Sequence, residues 1–192
     1  MLILASQSPR RAELLSQIGV PFTALSADID ESILPNETPE NYVQRLAQQK
    51  AQAGWRASAD TAKRRLVLGA DTVVVINEQV MGKPKDFDDA SAMLNLLSGQ
   101  QHQVLTAVTV TSGQRFETIL VKTDVTFCAL SPSQIEAYWQ TGEPKDKAGS
   151  YAIQGIGGKF VTHIKGSYSA VVGLPLYETN QLLSRMSQAH EC

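Results

Sequence analysis

The sequence is poor in the residues that build disulfide frameworks and metal clusters. Its 192 residues include two cysteines and three histidines. Cys128 lies in an apolar run typical of a β-strand and Cys192 is the last residue, which is a poor arrangement for a structural disulfide. We therefore expect a reduced protein of the cytoplasm without a thiol-based metal cluster.

Long apolar segments and an excess of one charge are also missing. No apolar run approaches the ~20 residues that a membrane-spanning helix needs. The first basic residues follow the opening apolar stretch, whereas those of a secretory signal precede it. The formal net charge of −2 argues against a general affinity for nucleic acids or membrane surfaces. Any phosphate site must therefore be a local concentration of Lys, Arg and backbone N–H groups.

Two familiar phosphate-binding motifs are absent, since the chain contains neither a Walker A sequence nor a GxGxxG fingerprint. The content of hydrophobic residues is 43% and that of charged residues is 19%, as in ordinary globular proteins. The length suits one domain, and we predict a single domain over residues 1–192.

Segments typical of strands alternate with segments typical of helices. The predicted strands cover residues 2–5, 66–76, 80–81, 104–111 and 118–130 and a last segment that ends at 164. The predicted helices begin at Pro9, at 38–39, near 88, at 131–132 and near 176. Residues 56–65 are polar and predict a loop or an irregular helix end. This order predicts an α/β protein with a mixed sheet and helices on its faces.

The turn between the first strand and the first helix has the sequence SQSPRR. Ser8 and Pro9 favour a helix start, with Ser8 as the N-cap. Arg10 and Arg11 would oppose the positive end of the helix dipole, and a bound phosphate would reverse that penalty. The alternative is a capped helix with solvated arginines.

Asp71 lies within the apolar run LVLGADTVVVI. An ionised carboxylate in a buried strand is costly unless it is paired or binds a metal. Asp71 is therefore a candidate general base or magnesium ligand, unless the strand ends early and Asp71 lies on a turn. Lys50 follows Leu46 by four residues, so a helix places it on the inward face, where it could reach a phosphate or simply extend toward solvent.

Two further groups of charged residues could contribute to the same chemistry. Lys83, in the segment GKPK, could neutralise phosphate charge, or it could be a solvated loop lysine. Asp28, Asp30 and Glu31 form an acidic cluster that could hold a divalent cation or merely solvate a loop.

Five segments in order resemble the Maf family of nucleotide pyrophosphatases. They are LASQSPRR, GADTVV, GKP, LSGQQHQVLTAV and DKAGSYAIQG, and the resemblance covers essentially the whole chain. It implies an elongated α/β fold with a mixed sheet and a central cleft between two lobes. It also implies a divalent metal (Mg, Mn or Co), cleavage between the α- and β-phosphates, and a possible homodimer.

The resemblance also implies roles for individual residues. Asp71 matches the family's catalytic proton acceptor, and Glu31 and Asp71 match the metal site. Four residues match positions of the phosphate site: Ser8, Arg11, Lys50 and Lys83. Three match positions of substrate choice: Arg10, Thr72 and Gln154. Their combination resembles the branch that acts on dTTP and UTP rather than the branch that acts on a methylated guanosine triphosphate.

The expected function is hydrolysis of dTTP and UTP to the monophosphate and pyrophosphate, as housekeeping of the nucleotide pool. A non-enzymatic regulator of septum formation is an alternative from another class. A hydrolase for inosine or xanthosine triphosphate is a second, enzymatic alternative. Release of pyrophosphate from a panel of nucleotides would distinguish them.

Overall fold

A computed structural model of the chain describes residues 1–58 and 65–191, with side chains as far as residue 188. Cys192 and most of the segment predicted as a loop, residues 59–64, lie outside the described residues. Within the described part, no helix is both long and apolar enough to cross a bilayer.

The described residues form one sheet of seven strands. The strands are β1 Leu2–Ala5, β2 Phe22–Leu25, β3 Leu66–Ile76, β4 Gln79–Met81, β5 Gln101–Thr111, β6 Phe116–Phe127 and β7 Val161–Lys165. Their order is β2-β1-β3-β5-β6-β7, and β4 pairs with β3. β1 runs parallel to both β2 and β3, whereas the β3–β4 and β6–β7 pairs are antiparallel. The predicted mixed sheet is confirmed.

The α-helices are α1 Pro9–Gln17, α2 Pro39–Ala57, α3 Phe87–Leu97, α4 Pro132–Gln140, α5 Tyr168–Val172 and α6 Leu176–Glu191. Three short 3-10 helices lie at Glu143–Asp146, Ala148–Ser150 and Ile156–Phe160. The N-caps of the longer helices explain their starts. Thr38 accepts a hydrogen bond from the Asn41 backbone N–H, and Ser131 forms a capping box with Gln134.

Ser8 departs from its predicted capping role. It occupies the N-cap position of α1, but its side chain makes no hydrogen bond to the helix. Its backbone N–H donates instead to the Ser6 hydroxyl at 3.2 Å. The turn before α1 is thus organised by a serine two residues earlier than the one that the helix pattern indicated.

Residue contacts divide the chain into two compact units. The first comprises Met1–Asp71, Thr106–Val121 and Gly173–Cys192, and the second comprises Thr72–Leu105 and Lys122–Val172. Strands β3, β5 and β6 contribute residues to both units.

Each unit has its own buried apolar residues. In the first unit, Ile3 and Ala5 of β1 pack with Val67 of β3. In the second unit, a larger cluster includes Leu94, Phe127 and Phe160.

Helix α2 continues through Gly54 and ends at Ala57. A Cβ atom on Gly54 would lie 2.6 Å from the Ala5 Cβ and 3.0 Å from a Val67 methyl carbon. Gly54 therefore serves as a contact point between α2 and the β1–β3 pair, where any side chain would overlap its neighbours.

Candidate active site

Helix α2 and strand β3 place one lysine against one aspartate. Tyr42, Leu46 and Lys50 follow one another at intervals of four residues, so they share the face of α2 that packs inward. Asp71 is buried within β3, which continues to Ile76 rather than ending early. Lys50 Nζ lies 2.6 Å from Asp71 Oδ1. The predicted burial of Asp71 and the inward direction of Lys50 are both confirmed.

Gly69 allows α2 to approach this strand closely. Residues two apart on a strand share a face, so Gly69 and Asp71 point toward the same side of β3. A Cβ atom on Gly69 would lie 2.5 Å from the Ala47 carbonyl oxygen and 2.9 Å from the Ala51 Cα. The backbone of the helix therefore contacts the strand directly at Ala47 and Ala51, which lie three residues before and one residue after Lys50.

Glu31 completes a group of three charges around the same ammonium. Lys50 Nζ lies 2.7 Å from Glu31 Oε1 as well as 2.6 Å from Asp71 Oδ1. The two carboxylates differ in exposure, since the Glu31 side chain is 53% exposed and the Asp71 side chain is 10% exposed. One cation is thus shared between a buried and a solvated carboxylate.

Burial has the largest effect on the pKa of Asp71. Desolvation raises the pKa of its carboxyl group above the usual value, and the charges of Lys50 and Arg11 only partly oppose that rise. The nearby charge of Glu31 acts in the same direction as burial. A carboxylate with a raised pKa is a better proton acceptor than a solvated one, which is a property that general bases need.

Arg11, in the first turn of α1, interacts with the charges of Asp71 and Glu31. Its Nε donates to the Gly173 carbonyl oxygen at 2.9 Å, and its NH1 group donates to the Ser6 hydroxyl at 3.4 Å. Burial lowers the pKa of the Arg11 guanidinium, and the charges of Asp71 and Glu31 oppose that shift. Arg10 also lowers it, so two guanidinium groups repel each other beside the N-terminus of a helix. Such an arrangement favours an anion.

Sequence reasoning missed three groups that hold this site. The Tyr42 hydroxyl donates to the Glu31 carbonyl oxygen at 2.8 Å, and burial together with the charges of Asp71 and Glu31 raises its pKa to about 12. Its position eight residues before Lys50, on the same helical face, was the available signal. Ser6 and Gly173 hold Arg11, and the Gly173 carbonyl gives no signal because it lies 162 residues away.

The acidic cluster near Glu31 does not converge as a group. Asp30 accepts hydrogen bonds from the backbone N–H and hydroxyl of Ser32, at 2.9 Å and 2.6 Å, and these bonds lower its pKa. Asp28 accepts a long hydrogen bond from the Ser26 hydroxyl at 3.4 Å. Among the residues with described positions, no three His, Cys, Asp or Glu side chains gather as a metal-binding group.

Ser8 and Arg10 lie in the first unit, and three further predicted site residues belong to the second. Thr72 follows Asp71 in β3 and is partly buried. Lys83 is exposed in the loop between β4 and α3, and the preceding Gly82 accepts a backbone hydrogen bond from Gly149. Gln154 is exposed in the turn that precedes the Ile156–Phe160 helix. The structure thus brings together Arg11, Glu31, Lys50 and Asp71 in the first unit.

A family model described as "Maf-like protein" matches residues 1–186. The chain belongs to the Maf family. A protein of Pseudoalteromonas atlantica named "dTTP/UTP pyrophosphatase" is 83% identical over 192 residues, which is the full length of both chains. A protein of Photobacterium profundum with the same name is 57% identical and covers 95% of this chain and 94% of its own.

The likeness of this Maf protein to solved structures is weaker. A nucleoside-triphosphatase / dITP/XTP pyrophosphatase from Mycobacterium abscessus is 13% identical, with a TM-score of 0.38, and covers 66% of this chain and 73% of its own.

Proposed function

We propose that this Maf protein hydrolyses dTTP and UTP to the nucleoside monophosphate and pyrophosphate, as housekeeping of the nucleotide pool. The observation that carries the proposal is the burial of the Asp71 carboxylate within β3, at 2.6 Å from Lys50 Nζ. Relatives with 83% and 57% identity are named for this activity, which supports the choice of reaction.

In the proposed reaction, Asp71 accepts a proton from the attacking water. The water oxygen forms a bond to the α-phosphorus, and the bond from that phosphorus to the α–β bridging oxygen breaks. Pyrophosphate leaves with the bridging oxygen. Burial of Asp71 favours proton transfer, because desolvation raises its pKa toward the working range of a general base.

Lys50 and Arg11 supply positive charge for the triphosphate. Their attraction for developing negative charge is stronger where water is excluded, and the Lys50 side chain is only 12% exposed. Arg11 is already fixed by Gly173 and Ser6, so little conformational freedom is lost when it meets a phosphate. We assign Ser8 and Lys83 to the same phosphate-binding role.

We also propose a divalent cation held by Glu31 and Asp71. The donor set fits this group, because both carboxylates already flank a single positive charge, the Lys50 ammonium. Two carboxylates, with the remaining positions taken by water and phosphate oxygens, are the usual protein contribution to a magnesium site. Bound there, the metal would neutralise phosphate charge and orient the triphosphate.

Arg10, Thr72 and Gln154 are proposed to select the base. An amide offers both a donor and an acceptor, so Gln154 can meet the O4 acceptor and N3–H donor that uracil and thymine share. Cytosine presents the opposite pattern, with a donor at N4 and an acceptor at N3.

The proposal is tested with purified protein and a panel of nucleoside triphosphates. We expect pyrophosphate and monophosphate from dTTP and UTP at rates well above those from CTP and purine nucleotides. Preferred hydrolysis of inosine or xanthosine triphosphate would assign the protein to purine housekeeping instead. Absence of turnover with every nucleotide and metal would favour a non-enzymatic role.

A further inference from the structure

The turn that presents Gln154 is held by hydrogen bonds on both sides. The Gly155 N–H donates to the Ala152 carbonyl oxygen at 3.2 Å, which closes a four-residue turn with Ile153 and Gln154 at its centre. The Gln154 side chain is exposed and can meet a ligand only in the direction that this turn gives it. The groups that fix the turn therefore determine where the Gln154 backbone lies and in which direction its side chain leaves the chain.

Glu143 fixes the side of the turn that follows Gln154. Its carboxylate accepts hydrogen bonds from the backbone N–H groups of Ile156 and Gly157, each at 2.9 Å. These amides open the short 3-10 helix Ile156–Phe160, whose first N–H groups have no carbonyl partner within the helix. A carboxylate is well suited to this position, because it accepts several hydrogen bonds at once.

Tyr138 fixes the side of the turn that precedes Gln154. Its hydroxyl accepts a hydrogen bond from the Ala152 N–H at 3.1 Å and donates one to Glu143 Oε1 at 2.6 Å. The tyrosine is fully buried and its ring meets Phe160 edge-on, with centroids 5.0 Å apart. The position of the hydroxyl is therefore set by the core, and the hydroxyl links the two supports of the turn.

The hydrogen bonds to Glu143 favour its ionised form. Partial burial alone would raise the pKa of its carboxyl group, but the hydrogen bonds from Tyr138, Gly157 and Ile156 outweigh it and lower the pKa. Burial and the Glu143 contact raise the pKa of Tyr138, so its hydroxyl keeps its proton and remains a donor.

Two glycines show how closely the support contacts the turn. A Cβ atom on Gly157 would lie 2.5 Å from the Tyr138 hydroxyl oxygen, and one on Gly155 would overlap the Glu143 carboxylate. Glu143 and Tyr138 thus contact the backbone of the turn with no intervening side chain. A small change at either residue is transmitted directly to the segment that carries Gln154.

We propose that Glu143 and Tyr138 are positioning residues for base selection, because they fix the turn from which Gln154 reads the nucleobase. This inference rests on the proposed pyrophosphatase function. Discrimination between hydrogen-bond patterns requires a donor and an acceptor held to within about 0.5 Å, and an exposed side chain on an unsupported turn does not meet that requirement. Glu143 touches no substrate and acts through Gln154.

The test compares the hydrolysis of UTP and of CTP by the wild type and by the Glu143→Gln variant. The substitution is isosteric, but it places an amide NH₂ group against a backbone N–H. We expect the UTP-to-CTP ratio of kcat/KM to fall about tenfold, because a misplaced amide no longer penalises cytosine. The matched control is Glu136→Gln, on an exposed residue of the helix that carries Tyr138, and it should leave the ratio unchanged.

Coupling to Gln154 separates positioning from a general structural role. We expect Gln154→Ala to lower the ratio by itself, and Glu143→Gln added to it to change the ratio by less than about twofold, because the two changes remove the same discrimination. A merely structural defect would lower UTP and CTP hydrolysis together in either background. Amide exchange of Ile156 and Gly157 should also accelerate in Glu143→Gln, while exchange in α3 stays as in the wild type.

The outcomes are distinguishable. An active wild type with an unchanged ratio in Glu143→Gln overturns the inference and leaves the proposed function standing. A wild type that releases no pyrophosphate from any nucleotide overturns both. Should Glu143→Gln not fold, Tyr138→Phe removes the linking hydroxyl but keeps the ring in the core, and it must lower the ratio in the same way for the inference to hold.

Discussion

Lys50 Nζ lies 2.6 Å from Asp71 Oδ1, although 21 residues separate the two along the chain. The contact joins the inward face of α2 to the middle of β3, and it provides the buried carboxylate with a cationic partner. Its chemical role and its contribution to stability can be measured separately.

Asp71→Asn should lower turnover of dTTP and UTP by about 10²–10⁴-fold, since the amide fills the same space but cannot accept a proton. The fold should persist, because Asn can still accept a hydrogen bond from Lys50. Rates of pyrophosphate release, with circular dichroism as the check on folding, provide the measurement. Asp88→Asn, an exposed residue of α3, is the matched control. Turnover within a few-fold of the wild type would remove Asp71 from the mechanism.

Lys50→Met should destabilise the protein by about 1–3 kcal/mol, because it leaves a buried carboxylate without its closest cation. The loss should be much smaller in the Asp71→Asn background, where no charge remains to be compensated. Urea unfolding of the wild type, the two single variants and the double variant gives the coupling free energy. Additive losses would show that the contact contributes no net stability.

Hydrolysis should require added magnesium, manganese or cobalt and should yield pyrophosphate with a nucleoside monophosphate. Ion-exchange chromatography of the products identifies the bond that breaks. Diphosphate with free orthophosphate would contradict cleavage between the α- and β-phosphates. Full activity in excess chelator would eliminate the proposed metal at Glu31 and Asp71.

Gln154→Glu should reduce UTP hydrolysis, because a carboxylate oxygen replaces the amide donor that we propose for recognition of the uracil O4. Leaving that acceptor unpaired costs about 1–3 kcal/mol, which is roughly a 5- to 150-fold loss in kcat/KM. Parallel assays with CTP show whether the effect is specific to the base. If the wild type uses CTP or GTP as efficiently as UTP, the pyrimidine assignment is wrong while the pyrophosphatase assignment stands.

His102 should make the protein less stable in mild acid. The residue is 2% exposed, its Nε2 lies 2.9 Å from the Tyr151 hydroxyl, and burial lowers its pKa from 6.5 to about 4. Between these two values the unfolded chain binds more protons than the folded one. The free energy of unfolding should therefore fall as the pH drops from about 6.5 to 4, by up to about 3 kcal/mol.

The control for this pH effect is His102→Gln, which has no ring to protonate. Carboxylates that titrate in the same range affect both proteins, so they cancel in the difference between the two unfolding curves. We expect that difference to be constant above about pH 7 and to move in favour of the variant in acid. A constant difference over the whole range would show that His102 does not titrate as described.

Much of the fold was predictable because its strongest signals are local. The apolar run of β3 gave both ends of the strand, and the Ser131–Gln134 spacing gave the start of α4. The four residues of β2 were not predicted, because an edge strand with two exposed positions lacks a continuous apolar run. Helix α5 was also missed, since its five residues are too few to show a helical period.

The candidate site was predictable only in part, for a different reason. A buried aspartate and an inward lysine are each improbable in a purely structural segment, so Asp71 and Lys50 could be found from the chain alone. The partners of Arg11 and of the Gln154 turn could not be found from the chain alone. Gly173 acts through its carbonyl and Glu143 through contacts with backbone N–H groups, and such groups leave no pattern in the sequence.

The contact between α2 and Gly69 has a consequence for motion on short timescales. Side chains exchange rotamers within picoseconds to nanoseconds, and a helix seated on side chains shifts slightly with each exchange. Here the Ala47 carbonyl and the Ala51 Cα rest against a residue that has no side chain. The separation of the α2 and β3 backbones beside Lys50 and Asp71 is therefore set by direct contact, so thermal fluctuation of the surrounding core should leave that separation almost constant.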